Sequence, residues 1–237
     1  IWEIQHAENA YGFAKVGQTV VNVPDTKLIK LYVDDEPLLL ATADLESYER
    51  AVDFRSGVLT RQLLWRTPSG KRVRVRPTRM VAMEECHLAV MPFEVTMLDS
   101  VAPVVISSQM LNRQDGVDEY HVPGAALGEG EIAHDPRRAR RFDHRVLQPT
   151  SQRNHADGSG RGDVILGYTC TNSGMTIACG YRHEIETSNH FVASTVVEHD
   201  HAKTVFEFAA TPGATISLTK YVSYHTSTGV PCEELAD

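Results

Sequence analysis

WRTPSGKRVRVRPTRMV, residues 65–81, carries Lys71, Arg72, Arg74, Arg76 and Arg79 within nine positions of an otherwise acidic chain. The TPSG tetrapeptide places Pro and Gly for a tight turn. Beyond it Arg72, Arg74 and Arg76 alternate with Val73 and Val75. A period of two sends the guanidinium groups to one face of a strand and the valines to the other. The arginines then read as a solvated or salt-bridged strand face. The competing reading is a contact to phosphate, whose oxygens match the Arg fork. Nucleic acid fits less well, because stacking aromatics should be interleaved with the charge and only Trp65 lies near.

The same period extends outward in both directions. In LIKLYV (28–33), Ile29, Leu31 and Val33 share a side; DDEP breaks the run and LLL resumes it, which predicts a hairpin. LESYERAVDF (45–54) admits a helical stripe of Leu45, Tyr48 and Val52, or a strand face of Tyr48, Arg50, Val52 and Phe54; the strand is preferred. HLAVMPFEVTML (87–98) is apolar on both faces, which suits a strand covered on both sides. DVILGYTC, MTIACGYRHEI, FVASTVV, KTVFEFAA and ATISLTKYVSYHT continue the pattern, with NSG, EHDH and TPGA as turns. Short strands and turns at this spacing predict an all-β, mainly antiparallel sandwich or barrel in one domain, residues 1–237. Residues 124–162 replace alternation with Gly, Pro and charge and read as a long loop excursion.

A net charge of −8 over 237 residues argues against a general nucleic-acid or anionic-membrane binder. No apolar stretch is long enough to span a bilayer. The opening IWEIQHAENAYGF lacks a basic n-region and an apolar h-region, so no signal peptide is expected, and an initial Ile suggests a trimmed or partial chain. Cys86, Cys170, Cys179 and Cys232 form no CxxC pair. With Ser173-Gly174 centring the turn, Cys170 should face Ile177 rather than Cys179. Reduced, mostly buried thiols and a cytoplasmic setting are expected.

Few groups suggest chemistry. EHDH (198–201) could present His199 and His201 to a metal, but its place between two strands favours a polar turn. DGSGRGD (157–163) leads into a strand, not into the helix N-terminus that a phosphate cradle needs, so a flexible loop is expected. HDPRRARRFDHR offers Arg137, Arg138, Arg140, Arg141 and Arg145 as a solvated loop or surface helix, or as a contact to an acidic subunit, domain or polyanion. No GxSxG elbow or glycosidase pair is marked, and no cofactor or metal is expected.

Five blocks in order resemble the N-terminal domain of glycoside hydrolase family 65, the maltose, trehalose and kojibiose phosphorylases and their relatives. They are YGFAKVGQTVVNVPD (11–25), YERAVDFRSGVLTRQLLWRTPSGKRVRVRPTRMV (48–81), HLAVMPFEVT (87–96), SGMTIACG (173–180) and LTKYVSYHTS (218–227). The resemblance implies a β-super-sandwich of the galactose-mutarotase-like kind, without catalytic residues of its own. In such enzymes it precedes an (α/α)6 barrel that carries the general-acid glutamate and binds disaccharide and inorganic phosphate. The implied role is to brace the barrel, shape the active-site entrance and support a homodimer. The barrel and a preceding segment are absent from these 237 residues, so no catalytic position is assigned and carbohydrate-binding residues stay unknown. The resemblance leaves the arginines of 72–76 on a sandwich strand. Two alternatives remain: a carbohydrate-binding module, and a free-standing aldose mutarotase or epimerase with Glu184, Glu198, His183 and His201 as its acid and base candidates.

Overall fold

A computed structural model describes residues 1–5, 11–12, 14–112 and 146–236. The strands are β1 (Trp2–Gln5), β2 (Val16–Thr19), β3 (Asp25–Val33), β4 (Glu36–Pro37) and β5 (Asp44–Asp53). They continue as β6 (Val58–Arg66), β7 (Arg72–Val81), β8 (Leu88–Met97), β9 (Ala102–Leu111) and β10 (Leu147–Asn154). Last come β11 (Val164–Cys170), β12 (Thr176–Glu186), β13 (Phe191–Val197), β14 (His201–Ala210) and β15 (Ile216–Ser227), then one helical turn, α1 (Cys232–Leu235). All the strand pairs are antiparallel. They build an eight-stranded sheet in the order β10-β11-β12-β15-β8-β7-β6-β5, a five-stranded sheet in the order β13-β14-β9-β3-β4, and a β1-β2 ribbon.

The two large sheets face each other because each strand has one apolar side to hide. Val73 and Val75 are fully buried while Arg72, Arg74 and Arg76 are exposed, so β7 alternates as its sequence requires. From the larger sheet Leu63, Trp65, Val95 and Leu218 meet Leu31, Val33, Val104, Ile106 and Phe206 of the smaller one in a single core. A second cluster, around Leu166, Tyr168, Cys179 and Val222, fills the far end.

The question raised by the basic run resolves into ion pairs. Arg72 Nε lies 3.1 Å from Asp99 and Arg76 lies 3.5 Å from Glu94. Lys71 Nζ lies 2.7 Å from Asp34 and also donates to the Val101 carbonyl at 3.1 Å. Asp34 sits on the β3–β4 turn, where Asp34 and Asp35 take φ of 51° and 63°, the left-handed pair of a two-residue hairpin. Lys71 therefore ties the TPSG turn of one sheet to a turn of the other. Its hydrogen bond, aided by Ser69, holds the Asp34 carboxyl below the usual carboxylate range despite partial desolvation.

Several expectations need correction. The hairpin at 34–35 forms, but LLL does not resume the strand: β4 ends at Pro37, and Leu39 and Leu40 are exposed. β8 is buried on one side only. Met91, Phe93, Val95 and Met97 face the core, and the residues between them are half-buried. The excursion drawn at 124–162 is too long at its C-terminal end, because Leu147–Asn154 pairs with β11. Its polar composition hid it: β10 is an edge strand with a bulge between Pro149 and Ser151, where a missing N–H and polar side chains are tolerated. Arg137, Arg138, Arg140, Arg141 and Arg145 lie outside the described residues.

DGSGRGD is not a free loop either. Asp157 accepts hydrogen bonds from the Ser159 and Arg161 backbone N–H groups at 3.0 and 3.2 Å, and Gly160 is buried with φ of 73°. The β11–β12 register pairs Tyr168 with Ile177 and Cys179 with Leu166, so Cys170 faces neither Ile177 nor Cys179. All four cysteines are free; Cys86 is exposed and the others are buried.

Candidate functional site

The acid and base candidates scatter. On β12, alternation turns His183 inward and Glu184 outward. His183 is 1% exposed and its Nε2 lies 2.9 Å from Ser108 Oγ. Glu184 instead accepts from the Tyr221 hydroxyl at 2.8 Å, in an outer groove where Arg182 is doubly bonded to Asp163. Glu198 begins the β13–β14 turn, its N–H donating to the His201 carbonyl at 2.7 Å. The polar-turn reading of EHDH holds, and the four groups do not converge in one cleft as a mutarotase would need. Among the described residues no three His, Cys, Asp or Glu side chains gather as metal ligands.

Sequence reading missed Lys220. It occupies an inward position on β15 between Leu218 and Val222 and is fully buried. Its Nζ donates to the Thr26 carbonyl at 2.7 Å and to the Gln109 carbonyl at 2.8 Å, and lies 4.7 Å from the centre of the Tyr181 ring. Tyr181 in turn shares a hydrogen bond of 3.1 Å with Thr204. This polar cluster bridges the two sheets inside the core, out of reach of a sugar.

Burial pushes the Lys220 ammonium down to about 7, with Asp25 pulling the other way. A neutral amine still keeps two N–H groups, enough for both carbonyls. Burial, then the Lys220 charge, pushes His183 down to about 3. Both groups titrate lower in the folded than in the unfolded chain, where the ordinary values are about 10.4 and 6.5. The unfolded chain therefore binds more protons between these limits, and stability rises with pH. For Lys220 that window opens near neutrality, so denaturation in urea should show a gain of about 2 kcal/mol from pH 7 to pH 9. Lys220→Met should flatten that rise; an unchanged slope would contradict the assignment.

The second feature is open. Register puts Tyr48, Arg50 and Val52 of β5 opposite Leu63, Arg61 and Leu59 of β6, on the inward side that Leu63 and Trp65 define. Arg79 lies opposite Leu59 on β7. The inner face is not closed there: Tyr48 and Val52 are half-exposed. Leu38 and the exposed Leu40 flank an open cavity of about 160 Å³ floored by Leu59, Leu63, Pro77 and Phe93, and it is also lined by the half-buried Arg61 and the exposed Arg50 and Arg79. The sequence signal was the Tyr48-Arg50-Val52 face, but the facing Arg61 emerges only with the register.

The described residues thus form a two-layer antiparallel sandwich in which the acid and base candidates stand apart. The family model "Glycosyl hydrolase family 65, N-terminal domain" matches residues 1–237, and the chain belongs to that family. An uncharacterized glycosyl hydrolase of Mycobacterium tuberculosis is 31% identical over 221 residues, 93% of this chain and 26% of that protein. The alpha,alpha-trehalose phosphorylase of Thermoanaerobacter brockii is 28% identical over 227 residues, 96% of this chain and 27% of that protein. A solved structure described as a kojibiose phosphorylase from the human microbiome superposes with a TM-score of 0.72 at 15% identity, covering 98% of this chain and 27% of that one. That likeness shows the fold, a mainly antiparallel super-sandwich. The chain thus spans about a quarter of the length of these relatives. No helix among the described residues is long and apolar enough to cross a membrane.

Proposed function

We propose that residues 1–237 serve as the non-catalytic N-terminal β domain of an enzyme that cleaves α-glucosidic disaccharides by phosphorolysis, or by hydrolysis. The observation that carries this reading is the family match over the whole chain, joined to the quarter-length coverage of a trehalose phosphorylase. In this reading the domain braces a catalytic (α/α)6 barrel contributed by polypeptide outside these residues, and disaccharide and phosphate bind there. A homodimer with Arg137, Arg138, Arg140, Arg141 and Arg145 at an acidic contact completes the proposal, as does a cytoplasmic setting, with which four free thiols are consistent.

The test uses the complete protein with α,α-trehalose, kojibiose, nigerose and maltose, each with inorganic phosphate. Formation of a glucose phosphate or of free glucose from at least one is expected. Neither product from any of the four would overturn the proposal.

A further inference from the structure

We propose that the cavity between Leu38 and Leu40 and the inner face of β5, β6 and β7 binds a phosphate-class oxyanion, inorganic phosphate or a small phosphate monoester, through the guanidinium groups of Arg50, Arg61 and Arg79. Arg50 and Arg61 are direct cross-strand partners, and Arg79 faces Leu59, two positions along β6 from Arg61. Directly opposed residues in an antiparallel pair bring their Cβ atoms to about 5 Å and diagonal neighbours to about 7–8 Å, and like charges so placed repel. Three cations in such a triangle want a shared counter-charge.

The protein supplies little of one. Four other arginines of this sheet meet carboxylates: Arg66 with Glu46, Arg72 with Asp99, Arg76 with Glu94 and Arg182 with Asp163, while Arg74, on the outer face, is exposed to solvent. None of the ion pairs formed among the described residues involves Arg50, Arg61 or Arg79. Arg79 feels the lack most. Arg79 remains exposed, yet partial burial and then the Arg61 charge push its guanidinium below the usual range; Asp25, itself paired with Lys27 at 2.8 Å, pulls the other way, and Arg50 adds a smaller push. Arg61 lies over the Tyr48 ring, 5.9 Å from its centre, which orients its planar fork without neutralising it.

The walls define the ligand class. Leu38, Leu59, Leu63, Pro77 and Phe93 present hydrocarbon beside the three cations, so a bound anion is partly removed from water and its pairing with arginine strengthens. Arg forks suit the tetrahedral oxygens of phosphate, and several can share one ion. At about 160 Å³ the cavity is below the roughly 300–1,000 Å³ of pockets for drug-sized ligands, which favours a small ester over a nucleotide.

Hydrogen exchange followed by mass spectrometry on the complete protein reads this site locally, whatever binds elsewhere. Inorganic phosphate and glucose 6-phosphate, titrated separately, are expected to slow exchange saturably in peptides covering residues 36–81. Arg61→Gln and Arg79→Gln should each weaken that protection at least tenfold. Arg74→Gln, on the outer face of β7, should leave it intact. Because the three arginines repel, the glutamine variants should fold; Arg61→Lys, with a charge but no fork, should fall between. No saturable protection of the wild-type protein by either probe would overturn the proposal, including the case in which an acidic side chain from outside residues 1–237 already fills the cavity. Equal protection in Arg61→Gln and Arg79→Gln would overturn it as well. Should both variants unfold, the wild-type titration alone decides.

Discussion

Gly160→Val is expected to lower the unfolding free energy by about 2–5 kcal/mol, an effect normally reserved for core positions. Gly160 holds φ of 73°, a left-handed conformation that a β-branched residue resists by about 1–2 kcal/mol. A Cβ on Gly160 would run into the ring of Phe206 and the methyl of Ala193. Phe206 cannot yield cheaply: it is fully buried, with its ring 5.2 Å from that of His183 and 6.4 Å from that of Phe208. Overpacking of that kind adds about 1–3 kcal/mol. Urea denaturation compares the variant with Gly158→Val, whose neighbourhood is open, so that it should change little. Equal, near-zero effects at both positions would mean that 157–163 is the loose loop its composition suggests.

Trp65→Ala should cost about 3–5 kcal/mol by loss of transfer energy and an unfilled cavity. Trp65 is 2% exposed and belongs to the core cluster shared by both sheets. It lies opposite Val73 of β7. The void would open where the two layers meet, with strand backbones on each side to resist collapse. Trp65→Phe should recover more than half of the loss. A midpoint for Trp65→Ala within experimental error of wild type would show that the layers do not pack on this residue.

How much could be read in advance follows from where the information sits. Val73 and Val75 against Arg72, Arg74 and Arg76 announce a one-sided strand, because alternation is local and needs no partner. The same holds for the Tyr48, Arg50 and Val52 face. β10 escaped because QPTSQRN has no apolar alternation; an edge strand exposed on one side of its pleat and only half-buried, by polar residues and Pro149, on the other leaves little hydrophobic trace. Cys170 does not face Ile177 because the connection is not a two-residue turn: the loop uses Thr171–Gly174, with the Gly174 N–H donating to the Cys170 carbonyl at 2.9 Å. Lys220 was legible after the fact: a cation in the inward register Ile216, Leu218, Lys220, Val222 must find carbonyls or a counter-ion. Which carbonyls it finds, Thr26 and Gln109, is information about chain crossings 194 and 111 residues away, and no local pattern holds it. The Arg50, Arg61 and Arg79 cavity is hidden for the same reason, since register and the placement of Leu38 create it.

The most direct measurement takes residues 1–237 alone, with a far-ultraviolet spectrum first establishing β structure. The fragment is then given trehalose or kojibiose with phosphate, and in a separate polarimeter cell fresh α-glucose or α-galactose. The expected result is no sugar phosphate and no faster mutarotation than buffer. Sugar phosphate formed by the folded fragment, or an accelerated approach to anomeric equilibrium, would contradict the claim that this sandwich carries no reaction of its own.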